Sequence, residues 1–272
     1  MSRDRWSLVL LLLLAGNARA QRLQLELRPK AGDTLRMRLD QVTEMSGTRK
    51  GAAASMKAVV TTLTMFSRAI VESSGPGSAL ILAVTDSVDV SSTDEHAASM
   101  AATTERQLRG RRMRLQLAPD GTVSVAPLAA DIPREVNDLV SVMPASFPKE
   151  PVAVGDSWVR EMPIASGASL GMPVGGVVRA TFRLDSISHG GDLAYVSMRG
   201  SLEQQPAQTA SVSSLSGSLN GSIVVNRRRG WLSESRFLVD MRTTVVAKGV
   251  APAAPMQFRM KITQHMKVVD KR

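Results

Sequence analysis

Apolar and polar residues alternate with a period of two along residues 175–204. The alternation runs through residues 178–185 and, after His189-Gly190-Gly191-Asp192, through residues 194–203. Successive side chains of a β-strand point to opposite faces, so this period indicates strands with one apolar and one solvated face. The two glycines between the arms supply the positive φ angles that a tight reversal requires. The stretch therefore predicts a long antiparallel hairpin.

The same period of two recurs in other parts of the chain. It is found around residues 35–39, 80–90 and 113–117, and again in residues 215–225, 231–245 and 256–268. Several of these segments exceed the usual five or six residues, and long strands twist too strongly to form a flat sheet. We therefore expect a mainly β (β-rich α+β) protein, with a long, curved antiparallel sheet or half-barrel.

Two short helices are expected to cover the apolar face of this sheet, because a one-sided sheet must bury that face against another layer. Residues 92–95 fit a capping box, and the helical spacing that follows them ends at Gly110. In the second helix Asp131 is a natural N-cap and Pro133 occupies a tolerated first-turn position. The apolar residues of this helix recur at helical spacing: Ile132, Val136, Leu139, Val140 and Met143.

The first twenty residues have the three parts of a secretory signal peptide. Arg3 and Arg5 precede an apolar run at residues 6–15, and small residues lead to a cleavage site after Ala20. The apolar run spans only about half of a bilayer's hydrocarbon core, and no later stretch is long enough to span it. We expect a periplasmic or extracellular protein with no transmembrane segment after cleavage near Ala20.

Residues 21–272 are expected to form a single β-rich domain, or two pseudo-halves at 21–143 and 152–272. The proline-rich connector at residues 144–151 would join the halves. The chain has no cysteine, which excludes disulfides, thiolate metal ligands and thiol nucleophiles. A hydrophobic core must therefore hold the exported protein together, and a chain of this length can form one.

Motifs for catalysis, cofactors and metals were tested, and none is convincing. Residues 167–171 match G-x-S-x-G, but Met172-Pro173 follows, which cannot begin the helix of a nucleophile elbow. None of the three histidines has a second histidine two or four residues away, as a zinc site would require. We therefore expect no enzyme, no cofactor and no metal. A hydrolase that uses carboxylates is a remote alternative, with Asp185 and Asp240 as the first residues to test.

The chain is basic, with 34 Lys and Arg against 24 Asp and Glu and a formal net charge of +10. Outside the cytoplasm, such a charge favours contact with anionic lipid or another anionic envelope surface. The alternative is that arginine only solvates the wet face of the sheet. With 3% aromatic residues, nucleic acid is not an expected partner. The candidate contacts to an anionic surface are Arg111, Arg112, Arg114, Arg227, Arg228 and Arg229.

Three stretches carry a resemblance: the connector leading into Gly155-Asp156-Ser157-Trp158, the long hairpin, and residues 226–232 (NRRRGWL). Together they resemble an uncharacterised family of exported bacterial proteins, a domain of unknown function. The resemblance covers most of the mature chain and implies no reaction and no ligand. More distantly, the layout is similar to periplasmic lipoprotein carriers, a likeness of fold that implies little about function.

The leading functional hypothesis is a non-enzymatic envelope protein that binds a lipid or another apolar ligand in a groove of the curved sheet. The alternative is a structural or protein-interaction module whose core is fully packed and which binds another envelope protein. The sequence leaves the oligomeric state open. The candidate groove residues are Phe182, Leu184, Val196, Met198, Phe237, Met241, Phe258 and Met260.

Overall fold

The structure is a computed structural model, and it describes residues 22–49, 57–126, 146–164, 176–204, 212–245 and 255–269. These residues form eleven strands and one helix. In chain order the elements are β1 (Thr34–Arg49), β2 (Val59–Ser74), β3 (Ala79–Ser92), α1 (Glu95–Leu108), β4 (Arg112–Leu117), β5 (Val123–Val125), β6 (Ser157–Ile164), β7 (Gly176–Ile187), β8 (Leu193–Gln204), β9 (Val212–Asn226), β10 (Trp231–Val245) and β11 (Met256–Val268).

All eleven strands belong to one antiparallel sheet with the order β5-β4-β3-β2-β1-β11-β10-β9-β8-β7-β6. The first and last strands of the chain pair at its centre, from Met37 opposite Val268 to Arg49 opposite Met256. Strands from both predicted pseudo-halves therefore lie side by side. The mainly β architecture and the long hairpin, formed by β7 and β8, are confirmed.

In the hairpin the sheet has one buried face and one solvated face, as the alternation predicts, whereas on β2 and β11 most residues of both faces are half-buried. Along β7 the even-numbered residues 178–184 are buried and the odd-numbered residues between them are exposed or half-exposed. We call the face that carries Phe182 and Leu35 the inner face, and the opposite one the outer face. The strand register then decides which other side chains share each face.

The sheet is strongly curved, because Phe147 connects its two edges. The Phe147 N–H donates to the Asp120 carbonyl in the β4–β5 turn at 3.0 Å, and Arg160 on β6 donates to the Phe147 carbonyl. Laid flat at about 4.8 Å per strand, these edges would be some 40 Å or more apart. The edges are bridged at this end of the sheet, but β5 and β6 are not paired with each other.

The inner face at this end is filled by residues 22–29. Leu23, Leu25 and Leu27 are buried, and Leu23 pairs with Val152 through an isolated bridge. Leu27 also donates to the Pro119 carbonyl at 2.8 Å. The segment forms an isolated bridge rather than a longer strand, and it serves as a plug inside the curved sheet.

The expected cover by two helices is not confirmed. Helix α1 does form at Glu95–Leu108, with the Ser92 hydroxyl accepting from the Asp94 N–H at 3.4 Å, and it packs against β3. The helix predicted at 132–143 lies outside the described residues. The cover of the hairpin instead comes from the segments 22–29 and 146–153, whose side chains join the hairpin in one apolar cluster. Within the described residues, no helix has the length and apolar character needed to cross a bilayer.

Candidate functional site

The inner face of the hairpin is a packed core. Phe182, Leu184, Val196 and Met198, four residues of the predicted groove, are each exposed by 4% or less. Trp158 stacks on Phe182 with ring centroids 5.8 Å apart and planes 8° from parallel. A ring stacked in this way fills the space that a ligand would need. These four residues therefore stabilise the fold and do not line an open groove.

The other four predicted groove residues lie on β10 and β11, where the inner face is less covered. Met241 is buried, whereas Phe237, Phe258 and Met260 are half-buried. Met260 lies opposite Met241 on one side and opposite Met45 on the other, which places three methionines in a row across β10, β11 and β1. The exposed fraction rises along this row from 7% at Met241 to 41% at Met45.

The exposed end of this row is part of a larger inner-face surface, which we call the open patch: Thr43, Met45, Phe258, Met260 and Ile262. All five are half-buried or exposed, and Met260 and Ile262 pack directly against the buried core. Methionine has three rotatable bonds and a polarizable sulfur, so it adapts to ligands of different shape. The open patch is thus an accessible extension of the core.

A polar pair separates the open patch from the filled end of the sheet. Gln41 and Gln264 lie opposite each other on the inner face, two inward-facing positions along the strands from the methionine row. The Gln41 side-chain amide donates to the Thr43 hydroxyl at 3.3 Å. Primary amides donate and accept hydrogen bonds, so this pair can bind a polar group of a molecule that lies on the patch.

Ion pairs cover the outer face of the same central strands. The Arg38 guanidinium, 2.8 Å from the Asp40 carboxylate, holds the pKa of Asp40 below its usual value by hydrogen bonding. Arg259 lowers the pKa of Asp240 in the same way. At Glu234, partial burial opposes ionisation, but the His265 hydrogen bond at 2.7 Å and the Arg236 charge outweigh it and lower the pKa. The outer face of these strands is therefore polar and in contact with solvent.

The residues considered for catalysis do not come together. Asp185 on β7 accepts a hydrogen bond from the Ser197 hydroxyl at 3.0 Å. Asp240 pairs with Arg259 and lies on β10, three strands away from β7 in the sheet. Among the described residues, no group of three or more histidines and carboxylates is placed to hold a metal ion. The G-x-S-x-G match at 167–171 lies outside the part of the chain that the structure describes.

The predicted basic contacts occupy two different places. Near one edge of the sheet, Arg114 is bound to Glu72 at 2.9 Å, whereas Arg112 is exposed and Arg111 half-buried. Arg227, Arg228 and Arg229 form the turn between β9 and β10. Arg227 donates to the Gly191 carbonyl at 2.6 Å and Arg228 pairs with Asp192, so these two arginines hold the neighbouring β7–β8 turn.

Two clefts lie on either side of Arg229. One of about 390 Å³ extends toward the β7–β8 turn, and one of about 480 Å³ extends toward β1 and β2. The larger cleft contains two further arginines, Arg36 and Arg68, which were not predicted as site residues. The lining residues of the larger cleft are Asp33, Thr34, Leu35, Arg36, Arg68, Arg229, Val268 and Val269.

Residues 135–232 match the model of a protein family described as a family of unknown function (DUF6263). The matched range contains all three stretches that suggested the resemblance, but it is about a third of the chain rather than most of it. No curated protein matches the chain. Among solved structures, the outer membrane protein OprG from Pseudomonas aeruginosa aligns at 8% identity over 89% of this chain and 95% of its own, with a TM-score of 0.22. A likeness at that TM-score carries no conclusion.

Two site features were missed from the sequence. Met45 was missed because the period of two was followed only as far as Leu39, whereas β1 extends to Arg49 and includes Met45. The polar Gln41 and Thr43 interrupt the apolar pattern there. Arg36 and Arg68 were missed because only the strand register places them opposite each other.

Proposed function

We propose that this chain is an exported, non-enzymatic envelope protein that binds an apolar ligand on the open patch. Export is supported by the signal peptide in residues 1–20, which lie outside the described part of the chain. The single observation that carries the binding proposal is the 41% exposure of Met45 on the inner face, the face that is buried in the hairpin. An accessible apolar surface continuous with a core is typical of a ligand-binding site.

The ligand we propose is an acyl chain. The row Val59, Met45, Met260 and Met241 crosses four neighbouring strands and is about 14 Å long at the usual strand spacing. An elongated, flexible molecule can lie along such a row, whereas a bulky rigid one would reach few of these side chains. Gln41 and Gln264 would bind a polar group of the same molecule. The ligand class is thus a lipid with a hydrogen-bonding group close to its acyl chain.

Two measurements test this proposal. Native mass spectrometry of the purified protein detects bound lipid, and a titration measures whether a fatty acid displaces a bound apolar dye. The wild-type protein should carry or take up lipid. Met45→Lys should reduce uptake, because the bound acyl chain would have to cover the charged ammonium group. Val159→Lys is the matched control, since Val159 is 47% exposed on the outer face of β6. A wild-type protein that is free of lipid and binds neither dye nor fatty acid would contradict the proposal.

The packed hairpin supports a second candidate, an interaction module that binds another envelope protein. Its inner face has no room for a ligand, so in this view the fold serves to display outer surfaces and edges. Cross-linking in intact cells distinguishes the two candidates. One specific cross-linked protein, together with a purified chain that binds no lipid, would favour the interaction module.

A further inference from the structure

We propose that Met45 is an oxidation site, at which a peroxide converts the open patch into a surface that binds an acyl chain only weakly. The inference rests on the function proposed above and adds a means of regulation to it. The chain contains 15 methionines and no cysteine, so thioethers are its only sulfur groups and the targets of a sulfur-directed oxidant. An exported chain also works in an oxidising compartment.

Exposure distinguishes Met45 from the other methionines of the sheet. Its side chain is 41% exposed, whereas every other methionine whose side chain the structure describes is half-buried or buried. In the row across β1, β11 and β10, Met45 is followed by the half-buried Met260 and then by Met241, which is 7% exposed. A dissolved oxidant must reach the sulfur atom, so the methionines of this row should oxidise in the order Met45, Met260, Met241.

The reaction transfers one oxygen atom and two electrons. A lone pair of the Met45 sulfur attacks one oxygen of hydrogen peroxide, and the O–O bond breaks as the S–O bond forms. The proton of the transferred hydroxyl passes to the departing hydroxide, which leaves as water. The thioether is thereby oxidised to a sulfoxide and the peroxide is reduced. A methionine sulfoxide reductase reverses the change with two electrons from a dithiol and releases the oxygen as water, so the modification can act as a switch.

The fold tolerates the oxidised side chain at this position. Met45 is not among the apolar residues that form the core cluster or pack against it, so its oxidation places no polar atom inside the core. Its neighbours toward the polar pair are also hydroxyl-bearing: Thr43 lies two residues earlier on the same face, and Thr61 lies opposite Thr43 on β2. Water that reaches the exposed Met45 can hydrate the sulfoxide oxygen, so the sheet itself loses no contact.

The same oxygen atom opposes the binding of an acyl chain. Met45 supplies the exposed thioether of the row along which the chain lies, and oxidation makes this flexible apolar side chain polar. A bound acyl chain would separate the sulfoxide oxygen from water and offer it no hydrogen bond. We expect the affinity for a fatty acid to fall roughly tenfold, the effect of burying one polar group without a partner.

Treatment of the purified, folded protein with hydrogen peroxide, followed by the fatty-acid titration, tests the switch. Mass spectrometry of peptides follows each methionine, and the treatment is stopped once Met45 has gained its oxygen atom. Met45→Leu removes the sulfur but keeps an apolar side chain, so this variant should bind the fatty acid and retain its affinity after treatment. Met113→Leu is the matched control, since Met113 is a half-buried methionine on β4 outside the open patch. It should lose affinity on treatment as the wild type does.

Each result has a defined meaning. Affinity that is lost in wild type and Met113→Leu and kept in Met45→Leu supports the switch. The switch is overturned, with lipid binding left intact, if wild type keeps its affinity once Met45 is oxidised or if Met45→Leu loses as much affinity as wild type. Oxidation of Met45 that is no faster than that of the buried Met198 overturns it as well. An untreated wild-type protein that binds no fatty acid contradicts the function proposed above, and the switch falls with it.

Discussion

The backbone N–H of Phe147 donates a hydrogen bond to the carbonyl of Asp120 at 3.0 Å, and this contact is one half of the bridge between two edges of an eleven-stranded sheet, the other half being the Arg160 bond to the Phe147 carbonyl. The Phe147 ring is 1% exposed, and a β-carbon on Gly121 would lie 3.3 Å from it. Across the gap, the Ser146 carbonyl accepts from the Trp158 indole N–H at 2.9 Å. The curvature of the sheet thus depends on a short clasp that is formed by the connector.

Replacing Phe147 by alanine should therefore destabilise the protein strongly. We expect a loss of about 3–5 kcal/mol in the free energy of unfolding, the usual cost of removing a buried phenyl ring. Urea denaturation measures it. Val159→Ala, on the exposed side of β6, should change stability by less than about 1 kcal/mol. Equal effects of the two substitutions would show that Phe147 does not clasp the edges.

A second prediction concerns the contact between the β9–β10 turn and the plug. Gly230→Ala should destabilise the protein by more than Gly32→Ala, although both glycines have positive φ. Alanine at Gly32 has open space around it and causes only backbone strain, about 1–3 kcal/mol. Alanine at Gly230 must in addition push away the Arg28 backbone. Thermal unfolding of the two variants measures the difference, and equal midpoints would contradict the close approach.

The ion pairs of the outer face predict a dependence of stability on pH. The pKa of Asp240 is lowered in the folded state by Arg259, so the unfolded state binds more protons at acid pH. The stabilisation is fully present above the ordinary carboxyl pKa of about 4 and is lost as the pH falls through the folded value. Asp240→Asn should reduce the thermal midpoint at pH 6 and bring it closer to wild type near pH 2.

The control for this experiment is Asp185→Asn, which removes the same charge from a carboxylate hydrogen-bonded to the Ser197 hydroxyl. A wild-type advantage over Asp240→Asn that stays constant from pH 6 to pH 2 would rule out the ion pair as its source. High salt should reduce the advantage at pH 6, because the pair is partly exposed to solvent.

Local pattern was sufficient to predict the strands and the hairpin. The alternation around Phe182 and Val196 is a property of neighbouring residues, and the positive φ of Gly191 agrees with the predicted turn. The filling of the inner face was not predictable in the same way. It depends on contacts between residues far apart in the chain, such as Leu23 with Val152.

The candidate site was likewise predictable only in part. Periodicity identified Met260 and Phe258 as inner-face residues, but it did not distinguish a covered position such as Met198 from an accessible one. Exposure depends on which side chains from distant segments, such as the plug, cover each position of the inner face. The larger cleft beside Arg229 likewise requires the register of β1 and β2, because Arg36 and Arg68 are 32 positions apart in the chain.

The central claim, that the open patch is accessible and binds an acyl chain, is tested most directly by thiol labelling. The chain has no cysteine, so single-cysteine variants report one position each. Met45→Cys should react with a water-soluble thiol reagent much faster than Met198→Cys, which is buried. A saturating fatty acid should slow Met45→Cys and leave the exposed control Val159→Cys unchanged. Labelling of Met45→Cys that is as slow as that of Met198→Cys, or that the fatty acid does not change, would contradict the account.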